Sequence, residues 1–215
     1  VDAVLTWLDA GEDLALVSDA GTPLVSDPGG RVVDAVARAG HPVVPVPGPS
    51  AVLAALVASG LPGDRFAFLG FPARKGRARD ELLERVAAAG ETVVLFESPH
   101  RLRRLLEELA GACGEDRRVA VARELTKVHE ELVRGTLAEA RRYYDAHPPR
   151  GEVTVVVGPR TEAPVDPEVL EEDARALARD LLDRGGRPSG VAREVARRLD
   201  LPRNTAYRIV HGVAP

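Results

Sequence analysis

The sequence has 215 residues, of which 45% are hydrophobic and 29% charged, and its formal net charge at pH 7 is −4. This composition excludes a disordered or collagen-like chain, and no apolar run reaches the roughly 20 residues that a membrane span needs. Cys113 is the only cysteine, which excludes an intramolecular disulfide and a cysteine-based zinc site. Because no basic segment leads into an apolar run at the start, we expect a cytoplasmic protein. We also expect no metal site.

Predicted helices and strands alternate along the first 160 residues. Apolar residues at helical spacing predict helices over 1–11, 30–39, 51–59, 80–89, 99–110 and 136–146. Short, mainly apolar runs predict strands over 13–17, 42–46, 65–71, 92–96, 117–122 and 153–157. This alternation indicates an α/β fold with helices on both faces of the sheets.

Two breaks in this pattern predict three domains. The segment Gly60–Asp64 separates an N-terminal α/β domain, residues 1–63, from a second α/β domain, residues 64–160. The remaining residues, 161–215, have a helical pattern and predict a small helical domain. Within it, residues 161–186 carry a charge of −5 and residues 187–215 a charge of +4. The basic end is a candidate nucleic-acid arm, although a solvated helical face has the same charges.

Two loops rich in glycine and proline follow predicted strands, at 18–30 and 45–51. Ligands bind at such strand ends in open α/β sheets, and Gly21 would let a ligand approach the backbone closely. The groups available to a ligand are the carboxylate of Asp19 and the hydroxyls of Thr22, Ser26 and Ser50. The phosphate-binding P-loop and the dinucleotide Gly-x-Gly-x-x-Gly pattern are both absent from the sequence. Tight turns that bind nothing would have the same composition.

A series of short motifs extends through the α/β part of the chain: Ser18–Gly29, Pro47–Ala51, Gly60–Pro62, Asp64–Phe66, Gly70–Phe71, Phe96–Leu102, Ala122–Lys127 and Gly151–Glu152. In order and spacing they closely resemble the ribosomal small-subunit RNA methyltransferase I family. The resemblance implies the two-domain tetrapyrrole-methylase fold and 2′-O-ribose methylation of a cytidine in 16S rRNA of the small ribosomal subunit. It also implies S-adenosylmethionine in the cleft between the two domains, a homodimer, and an N-terminal domain that is incomplete in this sequence.

The resemblance assigns candidate cofactor contacts by motif. They are Asp19, Gly21, Thr22, Pro23 and Ser26 in the first loop, Ser50 and Ala51 in the second, and Leu125 after a later strand. Glu97 is expected to approach the cofactor as well. Contacts of this kind position a methyl donor for in-line attack, which is most of what methyl transfer requires.

The resemblance also places Glu97, Arg123 and Lys127 nearest the expected cleft, as candidate catalytic residues. A ribose hydroxyl reacts only if its proton is removed or its developing negative charge is stabilised. Lys127 could remove the proton if burial lowers its pKa, or could stabilise the charge as a cation. For Arg123, an ion pair with Glu124 at the strand end is the alternative interpretation.

Two basic segments are candidates for binding RNA. Four cations lie within six residues, Arg74, Lys75, Arg77 and Arg79, and with Arg101 they predict contacts to an RNA backbone. A solvated loop is the alternative interpretation. Near the C-terminus, a helix carrying Val191, Val195 and Leu199, a turn over 200–203 and a second helix resemble a helix-turn-helix. That arrangement would expose Arg203, Asn204 and Arg208 to nucleic acid, whereas a helical cap on a dimer would leave them without a ligand.

Three functions therefore fit the sequence. The first is methylation of 16S rRNA, which the basic loop and the motifs at 97–101 and 123–127 favour. The second is a methylase of the same fold that acts on a tetrapyrrole or another small molecule. The third is a nucleic-acid-binding protein without enzymatic activity, in which the α/β part is a scaffold for the tail.

Overall fold

The computed structural model describes residues 1–19, 21–160, 167–199 and 201–213. The chain forms two compact units, residues 1–161 and residues 162–215. The predicted boundary between residues 63 and 64 lies inside the first unit and stays a prediction. Among the described residues, no helix combines the length and the apolar character that crossing a bilayer requires.

The first unit begins with three successive helices and then combines helices and strands, so the predicted alternation holds only in its second part. Its helices are α1 (Asp2–Asp9), α2 (Gly30–Arg38), α3 (Ala51–Ser59), α4 (Arg77–Ala88), α5 (Pro99–Cys113) and α6 (Leu137–Ala146). Its strands are β1 (Phe66–Phe68), β2 (Thr92–Glu97), β3 (Arg118–Arg123), β4 (Glu131–Thr136) and β5 (Val153–Val157). The strands form one sheet in the order β1-β2-β5-β3-β4, in which β1 and β2 are parallel and the other pairs antiparallel.

Side chains alternate between the two faces of this sheet, and each face has its own hydrophobic core. Val93, Leu95 and Val155 lie on the face covered by α4, α5 and α6. Helix α5 contributes four fully buried leucines at helical spacing, Leu102, Leu105, Leu106 and Leu109. Burial of each leucine stabilises the fold by about 2 kcal/mol.

Helix α3 covers the opposite face of the sheet. Its residues Val52, Ala55 and Leu56 pack against Val94 and Val156. Ser50 caps the helix by accepting a hydrogen bond from the Leu53 N–H at 3.4 Å. Helices on both faces confirm the predicted α/β layering, and the N-terminal end of α3 is held close to the sheet.

The two strands predicted at 13–17 and 42–46 are wrong. Neither segment pairs with a strand among the described residues, and their apolar side chains are exposed, with Val17 81% and Val46 88% accessible. A strand needs a neighbouring strand for its backbone hydrogen bonds, and hydrophobicity alone does not supply one.

Strand β4 and the start of α4 also differ from the sequence prediction. Strand β4 was not predicted. It is an edge strand whose second half contains Arg134 and Gly135, so its sequence has no long apolar run. Helix α4 begins at Arg77, three residues before the predicted start, so that Arg77 and Arg79 are helical. The strand predicted over 65–71 is limited to Phe66–Phe68.

The second unit is built from three helices, α7 (Pro167–Asp183), α8 (Pro188–Arg198) and α9 (Arg203–Val213). They share a core that includes Ala178, Val191, Val195, Ile209 and Val210. The two helices of the predicted helix-turn-helix are present. Asp200, in the predicted turn, lies outside the described residues.

Candidate active site

A cavity of about 630 Å³ opens in the first unit at one edge of the sheet. Strands β2 and β3 end at this edge and β5 begins there, because Glu97 and Arg123 both pair with Val153. The N-terminal end of α3 and the loop over 19–27 form the opposite wall. A cavity of this size is typical of a small-molecule site.

Most of the predicted cofactor residues line this cavity. They are Asp19, Gly21, Thr22, Ser26, Ser50, Ala51 and Leu125, whereas Pro23 is not among the lining residues. Thr22 donates a hydrogen bond from its hydroxyl to the Pro49 carbonyl at 2.9 Å, which ties the two predicted loops together. The structure thus brings together two loops whose contacting residues are 27 positions apart in sequence, although the strands predicted before them are absent from the described residues.

The loops beside the cavity hold unusual backbone conformations. Leu24, Ser26, Glu124 and Thr126 are the non-glycine residues with positive φ in the described part of the chain. Their φ angles lie between 50° and 74°, a region that L-residues other than Asn and Asp rarely adopt. Residues in such conformations cluster at functional sites, where surrounding contacts hold them. Ser26 and Thr126 themselves line the cavity.

Lys127 lies at the cavity with its ammonium between two carboxylates. Its Nζ donates to Glu152 Oε2 at 2.9 Å and to Glu124 Oε1 at 3.0 Å. The hydrogen bond to Glu152, and then the one to Glu124, raise the pKa of Lys127 above its ordinary value. Of the two roles predicted for Lys127, this geometry favours the cation, because a proton acceptor needs a lowered pKa.

Comparison with known proteins identifies the family. The model of the Tetrapyrrole (Corrin/Porphyrin) Methylases matches residues 1–141. A ribosomal RNA small subunit methyltransferase I from Synechocystis sp. is 44% identical over 96% of this chain and 74% of its own length. The chain belongs to the ribosomal RNA small subunit methyltransferase I family. The family, the fold class and the methyltransferase activity predicted from the sequence are thereby confirmed.

Two further methyltransferases of the family and one solved structure agree with this result. The relative from Micromonospora olivasterospora is 44% identical over 96% of this chain and 66% of its own length. The relative from Mesorhizobium japonicum is 46% identical over 83% of this chain and 61% of its own. The crystal structure of the methyltransferase CobJ superposes with a TM-score of 0.57 at 23% identity, covering 77% of this chain and 72% of that one, and shows the same fold.

Glu97 of the methyltransferase lines the cavity, and its carboxylate is buried. Strand alternation places it with Val93 and Leu95 on the sheet face opposite α3, and its side chain has no accessible surface. Its Oε1 accepts hydrogen bonds from the Ser98 N–H at 2.7 Å and from Arg101 Nε at 2.6 Å. Its Oε2 has no hydrogen-bond partner among the described residues, and the catalytic role of Glu97 stays a prediction.

The same contacts correct the prediction for Arg101. Its guanidinium pairs with Glu97 and donates to the Pro72 carbonyl at 3.2 Å, with about a quarter of the side chain exposed. Arg101 therefore anchors the first turn of α5 to the loop before α4. An arginine committed to these partners is poorly placed to neutralise an RNA phosphate.

Arg123 does not line the cavity. Its Nε lies 3.3 Å from Glu131 Oε1, which also accepts a hydrogen bond from Tyr144 at 3.1 Å, while Glu131 Oε2 accepts one from Tyr143 at 3.0 Å. Burial opposes ionisation of Glu131, but the hydrogen bonds from Arg123 and the two tyrosines hold its pKa below the ordinary value. The predicted catalytic role of Arg123 is not supported, and its carboxylate partner is Glu131 rather than Glu124.

The four cations of the basic loop differ in how far their side chains are buried. Arg74, Lys75 and Arg77 are exposed, as contacts to RNA require. Arg79 is buried, and donates to Glu108 Oε2 at 2.7 Å and to the Ala73 carbonyl at 2.7 Å. The prediction for Arg79 is wrong, because the earlier start of α4 turns its side chain onto α5.

In the second unit, Arg203 and Arg208 are exposed on α9, as the sequence analysis expected. Arg208 borders a depression that Arg175 and Arg179 of α7 also line. No ion pair involves Arg179, Arg203 or Arg208 among the described residues.

Several residues that line the cavity have no role predicted from the sequence. Asp27, Phe71, Thr126, Glu152 and Thr154 are among them. Gly151–Glu152 was part of a motif, yet nothing in the sequence placed it beside Lys127. The antiparallel pairing of β3 and β5 makes that contact, and strand pairing is not visible in local sequence.

Proposed function

We propose that the methyltransferase transfers the methyl group of S-adenosylmethionine to the 2′-hydroxyl of a cytidine in 16S rRNA of the small ribosomal subunit. The observation that carries this proposal is the cavity at the sheet edge of a member of this methyltransferase family. Hydroxyl side chains, apolar side chains and the fixed cation of Lys127 line it together. Relatives are named for small-subunit ribosomal RNA, and the cytidine and its 2′-oxygen rest on the resemblance in the motifs.

The residues of the cavity fit the proposed methyl donor. Gly21 has φ +73°, and the space where a side chain would lie is open. Val52 and Phe96 supply apolar surface, while the Asp19 carboxylate is exposed and suits an ammonium or a ribose hydroxyl. S-adenosylmethionine, when bound, supplies a methyl group on a positively charged sulfur.

The residues of this chain contribute mainly position and charge to the reaction. Hydroxyls of Thr22, Ser26 and Ser50 orient the donor, so that the methyl carbon and the ribose oxygen meet in line. The apolar floor excludes water from this region and strengthens electrostatic interactions there. Lys127 stabilises the negative charge that develops on the attacking oxygen.

The proposed RNA surface includes the exposed cations Arg74, Lys75 and Arg77 of the first unit. In the second unit, Arg203 and Arg208 add cations that have no acidic partner among the described residues. Exposed lysines and arginines of this kind bind phosphates without reading sequence. We therefore assign selection of the nucleotide to the cavity, and we assign the affinity for RNA to these cations.

We also propose that the protein is a homodimer. We place it in the cytoplasm, where small ribosomal subunits are found. Leu53 and Val57 lie one turn apart on α3 and are 52% and 81% exposed, so that α3 presents apolar surface away from the sheet. Sedimentation equilibrium measures the oligomeric state directly. A monomer at micromolar concentration would contradict the dimer.

Methyl transfer with three acceptors tests the proposed function. The protein is incubated with radiolabelled S-adenosylmethionine and with naked 16S rRNA, isolated small subunits or uroporphyrinogen. We expect label in the RNA, at one cytidine whose 3′ phosphodiester resists alkaline hydrolysis, because a 2′-O-methyl group blocks the attacking oxygen. Label in the tetrapyrrole alone would contradict the proposal, and a methyl group on a base would contradict the 2′-O assignment.

A further inference from the structure

Lys127 is the one lysine or arginine among the described residues that line the cavity. Its ammonium is held by two carboxylates, Glu124 and Glu152. With side chains 46% and 68% exposed, the pair between Lys127 and Glu152 adds little to stability. Orientation of the ammonium is therefore the better explanation for this arrangement.

The backbone brings the two carboxylates to the same place. Glu124 follows β3 and Glu152 precedes β5, which are antiparallel neighbours. The Glu124 N–H donates to the Glu152 carbonyl at 3.0 Å, and the Glu152 N–H donates to Glu124 Oε1 at 2.9 Å. The Glu124 carboxylate is thus fixed by the neighbouring strand as well as by Lys127.

Gly151 leaves the space that this carboxylate occupies. A Cβ at position 151 would overlap the Glu124 carboxylate, and the φ of Gly151 is +79°. Glu124 itself has φ +50°, and Thr126, in the turn that leads to Lys127, has φ +66°. Three backbone positions around the Lys127 ammonium, Gly151, Glu124 and Thr126, are therefore held in conformations that favour glycine.

We propose that Glu124 and Glu152 are positioning residues that hold the Lys127 ammonium as a fixed cation beside the attacking ribose oxygen, with Gly151 leaving the room that Glu124 needs. This inference rests on the proposed function, since an alkoxide develops only if a hydroxyl accepts the methyl group. In that step the O2′–carbon bond forms, the carbon–sulfur bond breaks with its electron pair on sulfur, and the hydroxyl proton passes to water.

The charged groups around the ammonium support a cation rather than a free amine. Glu124 and Glu152 contact it directly, and Arg123 lies one residue before Glu124. Glu130, in the same loop, accepts a hydrogen bond from the Thr126 N–H at 2.6 Å, and its own N–H donates to the Lys127 carbonyl at 3.2 Å. Within the described part of the chain its carboxylate forms no ion pair with the Lys127 ammonium. Hydrogen bonds from the two contacting carboxylates keep the pKa of Lys127 above its ordinary value.

The first test measures the lysine itself and does not depend on activity. The chain has two lysines, Lys75 and Lys127, so Lys75→Arg leaves a single labelled lysine signal in NMR spectra. In this background Glu152→Gln and Glu124→Gln should each lower the pKa of Lys127 by roughly half a unit to one unit. Glu115→Gln, in an exposed pair with Arg141, is the matched control and should change nothing. Unchanged titration in both cavity variants would overturn the proposal.

The second test measures single-turnover methyl transfer to small subunits between pH 6 and pH 10. The double variant Glu124→Gln with Glu152→Gln should lower the rate about tenfold at neutral pH and move its alkaline decline to lower pH. The affinity for S-adenosylhomocysteine should stay within about twofold of wild type. A uniform loss across the pH range, without any movement of the decline, would show a merely structural role and overturn the proposal.

A double-mutant cycle tests the role of Gly151. Gly151→Ala should lower the rate as Glu124→Gln does, because the new Cβ displaces the carboxylate. In a Glu124→Ala background the same change should cost less, since the strain at φ +79° remains but no carboxylate is displaced. Additive losses would overturn the part assigned to Gly151. A wild-type protein that methylates no RNA would contradict the proposed function, while the NMR titration still decides whether the two carboxylates hold the lysine.

Discussion

Arg79 and Glu108 join helix α4 to helix α5 through an ion pair in which the arginine side chain is only 3% exposed. Glu108 also accepts a hydrogen bond from Arg104 Nε at 2.8 Å. Burial opposes ionisation of Glu108, but the hydrogen bonds from Arg79 and Arg104 lower its pKa below the ordinary value. The contact stabilises the packing of the two helices on the sheet. Because Arg79 is buried in it, this arginine is not part of the proposed RNA surface.

Arg79→Ala should therefore destabilise the first unit by about 2 kcal/mol. This value is less than the cost of breaking a fully buried pair, because Glu108 keeps Arg104 and part of its hydration. Urea unfolding measures the change. Arg77→Ala is the control, since its side chain is 91% exposed and its pair with Glu81 should contribute little. Equal stabilities of the two variants would contradict the buried role of Arg79.

The triple variant Arg74→Ala, Lys75→Ala and Arg77→Ala should bind small-subunit RNA more weakly, with its fold intact. Three lost phosphate contacts should reduce the slope of log affinity against log salt by about 2. Filter binding at several salt concentrations measures this slope. A triple alanine variant of Arg38, Arg103 and Arg141, each in an exposed ion pair, is the control. An unchanged slope in the first variant would identify the loop as solvated surface.

Local sequence was sufficient for elements that carry their own signal. Helix α5 has leucines at helical spacing and a proline at its start, and β5 is a run of β-branched residues, so both were predicted close to their observed bounds. The strands predicted at 13–17 and 42–46 have the same apolar character, yet no neighbouring strand pairs with them in the described structure. Strand β4 pairs with β3 despite its glycine and arginine.

Prediction of the candidate site was limited in the same way, because local sequence does not show which elements meet. Gly21, Ser26 and Ser50 line the cavity, and they were candidates because loops rich in glycine, proline and hydroxyl residues have a local pattern. The partner of Arg79 was not predictable, because it lies 29 residues away on another helix and α4 starts early. Arg101 pairs with Glu97 only four residues away, and Arg123 pairs with Glu131 on the adjacent strand β4, which was not predicted. Charge in a sequence does not tell a phosphate contact from an internal ion pair.

Arg123→Ala should lower stability by about 1–2 kcal/mol, because it leaves the part-buried Glu131 without its cation. Methyl transfer at a temperature well below unfolding should stay within about threefold of wild type, since Arg123 does not line the cavity. Thermal unfolding and single-turnover transfer measure the two effects. A large loss of rate with unchanged stability would restore Arg123 as a catalytic candidate.

The contribution of Glu131 should depend on pH. Its pKa is lower in the folded protein than in the unfolded chain, where a glutamate titrates near about 4.3. Its ionised form therefore stabilises the fold fully above about pH 5, and this contribution is lost as the pH falls through the folded pKa. The stability difference between wild type and Glu131→Gln should accordingly shrink from pH 6 to pH 3 in urea unfolding. A constant difference would contradict the role of its charge.

Gly21→Val should weaken binding of S-adenosylhomocysteine at least about tenfold. The branched side chain enters the cavity and disfavours the φ of +73°. Gly114→Val is the matched control, because Gly114 has φ +90° and open space around it but does not line the cavity. Calorimetry should show a loss of affinity in the first variant alone. Equal affinities would exclude this loop from the donor site.

Lys127→Ala should reduce single-turnover methyl transfer on small subunits by at least about tenfold, the lower range for loss of a group that stabilises developing charge. Lys127→Arg distinguishes the two chemical roles, because a guanidinium remains a cation and cannot accept a proton near neutral pH. With Glu124 and Glu152 beside it, arginine should recover a substantial part of the rate, while the affinity for S-adenosylhomocysteine changes little in either variant. Glu115→Gln, in an exposed ion pair outside the cavity and the proposed RNA surface, is the control and should leave the rate unchanged. If the arginine variant is as slow as the alanine variant, Lys127 acts as a base despite its two carboxylates. If the alanine variant matches wild type, Lys127 has no part in the reaction.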